Sequence, residues 1–129
     1  MAVSKTKVLL VEVARQLFAK NGLEETTMND IAVASKKGRR TLYTYFKNKE
    51  EIYYAVIESE LNRMSEHMAI VAERDIDPEE KIVELIYARL DSIKEIVSRN
   101  GNLRAEFFRD VWMVEAARKS FDSDQIELY

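Results

Sequence analysis

The sequence predicts an all-α protein, a three-helix head followed by a longer helical body, and three observations carry that prediction. Apolar residues recur at three- and four-residue spacing along most of the chain, and no stretch alternates apolar and polar residues as a half-buried strand does. The one proline and three glycines in 129 residues fall between periodic stretches, not inside them. With 47% apolar residues the chain can bury one ordinary core, and no Gly-, Ser- or Pro-rich tract marks a linker between independent domains.

The first helix is expected from about Lys5 to Lys20, burying Val8, Val11, Leu17 and Phe18 and stopping at Asn21-Gly22. The second starts at Thr27, where Thr27-Met28-Asn29-Asp30 has the form of a capping box with a short acid, and Ile31, Ala32 and Ala34 supply small apolar contacts. Lys36-Lys37-Gly38 makes the turn, with Gly38 as N-cap of a third helix over Arg39–Phe46. Asn48 caps a long fourth helix reaching about Glu73, with Glu50 and Glu51 where the helix dipole favours negative charge. Its apolar positions are Ile52, Ala55, Val56, Leu61, Met64, Met68 and Val71. Asp77-Pro78-Glu79-Glu80 is the clearest helix start in the chain, opening a fifth helix through Ile82, Leu85, Ile86, Leu90, Ile93 and Val97 to Arg99-Asn100-Gly101. A sixth follows Asn102 and includes Leu103, Phe107, Val111, Trp112, Val114 and Ala117, and Ser123-Asp124-Gln125 reads as the cap of a last, incomplete helix.

The third helix carries the functional signal. Leu42 and Phe46, four residues apart, lie on one face and can dock into a core together with Ile31, so Arg39, Arg40, Thr41, Tyr43, Thr44 and Tyr45 point elsewhere. Arginine reads guanine edges, and hydroxyls and lysines hold phosphates, so this is the composition of a helix that enters a DNA groove.

Together with Phe18-Ala19-Lys20-Asn21-Gly22, Thr26-Thr27, Ile31-Ala32, Thr41-Leu42-Tyr43-Thr44-Tyr45-Phe46 and Lys49-Glu50-Glu51-Ile52, the run resembles the helix-turn-helix of the tetracycline-repressor (TetR) family of bacterial transcription regulators. One departure lies in the turn, where the family usually reads Ala-Gly-Val-Ser and this chain has Ser35-Lys36-Lys37-Gly38. Lysine replaces both the turn glycine and its apolar plug. Lys37 can lay its stem over the core while its amine reaches water or phosphate.

The resemblance implies a DNA-binding domain over residues 1–48 and a ligand-sensing and dimerisation domain over 49–129. Arg39, Arg40, Thr41 and Thr44 are the candidates for base edges. Tyr43 and Tyr45 are expected at phosphate or sugar unless one packs inward, and Thr26 or Thr27, Lys36, Lys37 and Lys49 near the backbone. Thr27 can cap its helix and meet a phosphate at once. The implied partners are operator DNA, a second copy of the chain and an unidentified small effector, in a repressor whose fourth helix tilts on effector binding and alters the spacing of two recognition helices. Family members usually have nine or so helices, the last two forming the homodimer, so a body ending near the sixth or seventh is expected to be incomplete relative to the family.

Charge supports the same division. Residues 1–50 carry ten basic against five acidic residues, a net +5, whereas residues 51–129 carry ten against eighteen, a net −8. A basic head suits a polyanion and an acidic body discourages indiscriminate wrapping, although the overall pI near 5.3 alone argues against DNA and lysines often do no more than solvate a helix face.

Other functions find little support. The absence of cysteine rules out disulfides and cysteine catalysis. There is no 18-residue apolar run, and the first residues lack the apolar core of a signal peptide, so a cytoplasmic protein without a membrane partner is expected. His67, near Glu60 and Glu66, is a single histidine among scattered carboxylates and makes a poor metal site. With no catalytic triad, phosphate-binding glycine loop or zincin motif, neither an enzyme nor a cofactor is expected.

For the effector, Met64, Met68, Tyr87, Phe107, Phe108, Trp112 and Met113 are the candidates to line a cavity, against the commoner fate of such residues, which is to fill a core. The rival from another class is a helical protein-interaction module that keeps the helix-turn-helix shape without binding DNA, supported by the acidic body and the unusual lysine turn.

Overall fold

A computed structural model of the chain describes residues 4–101, 103 and 105–127, the last including residues 105, 106 and 119–127 by backbone only. Those residues form six helices: α1 Lys5–Asn21, α2 Met28–Ser35, α3 Arg39–Tyr45, α4 Lys49–Ala72, α5 Pro78–Arg99 and α6 Ala105–Glu127. The predicted all-α class and most boundaries agree with this, because local chemistry sets them. Ser4 caps α1, Thr27 and Asp30 form a reciprocal capping box on α2, and Asn48 accepts from the Glu51 amide at the start of α4. Pro78 opens α5.

α4 is the central strut, with α1, α5 and α6 packed against it. α5 folds back antiparallel to it, so His67 Nδ1 meets Ser92 Oγ at 3.1 Å near one end and Glu60 meets Arg99 at 2.8 Å near the other. One continuous apolar cluster runs from Leu10, Ala14, Phe18, Ile31 and Leu42 in the head through Ile52, Val56 and Leu61 to Ile96, Phe107 and Val111 in the body. Aromatic edges reinforce that junction: Phe18, Tyr53, Phe107 and Phe108 stack in succession with centroids 5.9–6.1 Å apart.

A polar knot lies beside this cluster. Glu60 is fully buried and accepts from Arg99 Nη2 at 2.8 Å and from Asn100 Nδ2 at 3.2 Å. Arg15 of α1 donates Nη1 to the Arg99 carbonyl at 2.8 Å and grips Glu12 with Nε and Nη2. The carboxylate desolvation that burial imposes on Glu60 is thus met by a charged and a neutral donor.

The interior departs from the sequence expectation in four places. Val8 is exposed, and Leu10 and Ala14 take the inward face of α1. Ala34 is exposed, while Ser35 is buried in its place, donating its hydroxyl to the Ala32 carbonyl. Ser123-Asp124-Gln125 lies within α6 and starts no new helix. On α5 the inward residues are Ala88, Ser92 and Ile96, and most of the expected apolar stripe faces outward.

Candidate nucleic-acid interface

α2, the turn and α3 are held by a dense set of local bonds. Thr27 Oγ1 accepts from the Asp30 amide and Asp30 Oδ2 accepts from the Thr27 amide, both at 3.0 Å. In the turn, Lys36 adopts the left-handed region at φ 61° and its N–H closes onto the Val33 carbonyl. The Ser35 hydroxyl accepts from the Lys37 amide at 3.3 Å. Gly38 follows at φ 84° and ψ 162°, a conformation only glycine adopts cheaply, and its carbonyl accepts the first amide bond of α3, from Leu42. No atom crowds the space a Cβ at Gly38 would fill, so the constraint is conformational.

α3 is pinned from beneath by Leu42 and Phe46, both buried, as their four-residue spacing predicts. Arg39, Arg40, Tyr43 and Thr44 are exposed on its outer side, Thr41 is half-buried, and Lys36 and Lys37 are exposed in the turn leading to it. None of the four cations is engaged in an ion pair among the described residues. Thr44 donates Oγ1 to the Arg40 carbonyl at 2.9 Å, leaving its oxygen lone pairs outward. Seven expected contact residues (Thr27, Lys36, Lys37, Arg39, Arg40, Tyr43 and Thr44) therefore lie exposed on the α2–turn–α3 unit.

Four others are placed differently. Thr26 is fully buried, its hydroxyl donating to the Gly22 carbonyl at 2.8 Å, so it fastens the α1–α2 corner and cannot offer its side chain to a phosphate. Tyr45 is half-buried and bonded to Ser4 Oγ at 3.0 Å, which makes it the tyrosine that packs inward. Lys49 is half-buried and donates Nζ to the Leu23 carbonyl at 2.8 Å, so one of its three donors is already committed. The Lys37 stem stands clear of the core, which the buried Ser35 closes instead, while Thr41 sits at the edge of the outer face. Exposed Val33 and Lys47 flank the same unit and are absent from the sequence candidates. Val33 is an apolar residue inside an apolar stretch, and nothing in its spacing marks it as outward.

The seven cavity candidates divide between the core and the surface. Met64 and Phe107 are core residues, and Met68, Phe108 and Trp112 are half-buried against that core. Arg89 covers the Trp112 ring at 5.4 Å while paired with Glu115. Tyr87 points outward from α5, and Met113 lines an open groove with Tyr54, Val114, Ala117 and Arg118. A larger open groove of about 460 Å³ runs between α1 and α4, lined by Val8, Val11, Ala55, Glu58, Asn62 and Arg63 among others, and contains none of the seven. Among the described residues no three metal-ligating side chains converge, and no helix is long and apolar enough to cross a membrane.

Residues 10–56 match the family described as bacterial regulatory proteins, tetR family. The chain is 31% identical over 85 residues to the HTH-type transcriptional regulator YhgD of Bacillus subtilis (strain 168), a match covering 66% of this chain and 44% of that one. It is 30% identical over 103 residues to the "Probable acrEF/envCD operon repressor" of Escherichia coli (strain K12), covering 78% of this chain and 46% of that one. The chain thus spans under half the length of either relative. In fold it superposes on a TetR-like transcriptional regulator from Rhodococcus sp. RHA1 with a TM-score of 0.69 at 24% identity, over 93% of this chain and 67% of that one. The family is one of regulators and not of enzymes. With its helix-turn-helix head at residues 10–56 and part of a helical body behind it, this chain belongs to the tetR family of transcription regulators.

Proposed function

We propose that this chain is a repressor that binds operator DNA, with α3 as the recognition helix entering the major groove, and whose DNA affinity responds to a small effector bound in the body. The observation that carries the reading is the α3 surface: buried Leu42 and Phe46 leave Arg39, Arg40, Tyr43 and Thr44 together on the outer side, next to two exposed lysines. Arg39 and Arg40 are at the end of the helix that leads into the groove and suit bidentate contacts to guanine, while Thr44 and Tyr43 suit phosphate, sugar or a thymine methyl. Lys36, Lys37 and the two remaining donors of Lys49 serve the backbone, as does the Thr27 end of α2. The family relationship and the name of the Escherichia coli relative support repression. The effector part rests on α4, which begins at the interface and runs the length of the body, so that displacement in the body reaches the head.

Selection of duplexes from a random library tests the DNA reading and reports half-site number. Enrichment of a defined site, with binding that weakens steeply between low and moderate salt, is expected. Salt-independent or absent binding at low salt overturns it and favours a protein-contact role. Within a selected site, Arg40→Ala should cost about 1–3 kcal/mol and relax preference at one base pair, whereas Lys37→Ala should weaken all sequences alike and reduce the salt slope. Equal, uniform losses from both would remove Arg40 from base readout.

A further inference from the structure

Three exposed lysines at the far end of α3 have no role in the proposed function. Ser4 Oγ and Tyr45 Oη are 3.0 Å apart, which fastens the start of α1 to the last residue of α3. Ser4 Oγ also accepts from the Lys7 amide at 3.3 Å, and Lys7 Nζ lies 5.8 Å from the centre of the Phe46 ring. Lys5 and Lys7 are thereby brought to the end of α3, where Lys47 follows in the chain. All three are exposed, and none is in an ion pair among the described residues. Of the acids that share a groove with Lys7, Glu51 accepts from the Lys47 amide at 2.8 Å and Glu58 pairs with Arg118 at 3.7 Å, which leaves Glu50 against three ammonium groups. The α1 part of this corner, residues 4–9, lies ahead of residues 10–56 that match the family, so the match assigns it no role.

We propose that Lys5, Lys7 and Lys47 form a second phosphate clamp on the operator, and that the Ser4–Tyr45 bond holds its α1 part in place. The clamp rests on the reading that α3 enters the major groove. With seven residues at 1.5 Å each, α3 is about 10.5 Å long, close to the roughly 12 Å width of that groove. A helix of this length set across the groove has a phosphate wall near each end. Lys36 and Lys37 serve the wall at its first turn, and the second clamp serves the wall at its last, so α3 is fixed in register between two strands. Tyr45 touches no DNA in this arrangement. It is a positioning residue, and its hydroxyl keeps the α1 lysines beside the duplex.

Titration of a labelled duplex between about 50 and 200 mM salt is the test, with the slope of log affinity against log salt as the readout. Lys5→Ala, Lys7→Ala and Lys47→Ala should each lower that slope by about one and weaken selected and random duplexes alike. Lys94→Ala, at an exposed position on α5, should leave it unchanged. Tyr45→Phe removes only the hydroxyl and should lower the slope by up to about two, with no further effect in a variant already lacking Lys5 and Lys7. Ser4→Ala should act as Tyr45→Phe does, and Ser4→Thr should keep the wild-type slope. If the wild type binds duplex DNA with an Arg40-dependent preference and the three lysine variants keep its slope, the clamp is overturned while the DNA reading stands. A slope that falls with the lysines but not with Tyr45→Phe or Ser4→Ala overturns the positioning role of Tyr45, since a purely structural bond lowers the unfolding midpoint alone. A wild type that binds no duplex at low salt overturns the DNA reading and the clamp together.

Discussion

Individual residues in the turn and within α1 make separable demands on stability. Lys36 holds a left-handed conformation that costs an L-residue roughly 1–2 kcal/mol relative to glycine, so Lys36→Gly should raise the unfolding midpoint while removing one positive charge from the interface. Gly38→Ala should do the opposite, because an alanine at φ 84° is strained whatever space is available, and urea unfolding would resolve both changes. In the middle of α1, the Arg15 guanidinium bonds both oxygens of Glu12 and holds that carboxyl below its ordinary value of 4.5, against the opposing effect of burial. A depressed carboxyl stabilises the fold above the unfolded pKa, and that contribution disappears as pH falls through the folded one. The contribution is therefore lost from about pH 4.5 downward, and Glu12→Gln should flatten the acid limb of a stability-versus-pH curve there. An acid limb of unchanged slope would show that the contact adds nothing.

At the level of elements, the helix boundaries were legible because they are written locally. Thr27 with Asp30 and Asn48 with Glu51 each sit within four residues of the groups they serve, and Pro78 opens α5 although the Asp77 side chain makes no capping bond. Thr27→Ala should accordingly cost about 1 kcal/mol, measurable by thermal unfolding, without disturbing the rest of the fold. The two sides of α3 were equally readable, since Leu42 and Phe46 define its inner side and so its outer one. What a helix face packs against is not local information. The α5 periodicity identifies an apolar side without saying whether anything in the chain covers it, and the large residues turn outward while Ala88 and Ser92 make the close approach to α4. The cavity candidates divide for the same reason: methionines and aromatics look alike in sequence whether they fill the core, as Phe107 does, or stand outside it, as Met113 does. The burial of Thr26 was not legible, because the Asp30 spacing marks Thr27 as the cap and says nothing of what surrounds its neighbour.

Across the whole molecule, the polar knot joins three helices through residues far apart in sequence, which is why no motif announced it: Arg15 and Arg99 are 84 positions apart, and Glu60 and Arg99 are 39. Arg15 belongs to the head, Glu60 to the strut and Arg99 to the end of α5, and the apolar cluster crosses the same junction. Head and body therefore have no separate interiors to melt independently, and unfolding should be a single transition. Arg99→Met isolates the effect, keeping a stem of similar length while leaving the Glu60 carboxylate with only the Asn100 amide as a donor. Loss of one partner of a buried pair costs about 3–5 kcal/mol, and the lower end applies because the Arg99 side chain is 24% exposed. Replacing Glu60 with methionine as well removes the stranded charge and should return part of the loss. Trp112, the only tryptophan, reports on α6 by fluorescence, while circular dichroism reports on all six helices. The two signals should move to lower denaturant together in Arg99→Met, and a fluorescence transition that shifts alone would mean that the body unfolds without the head.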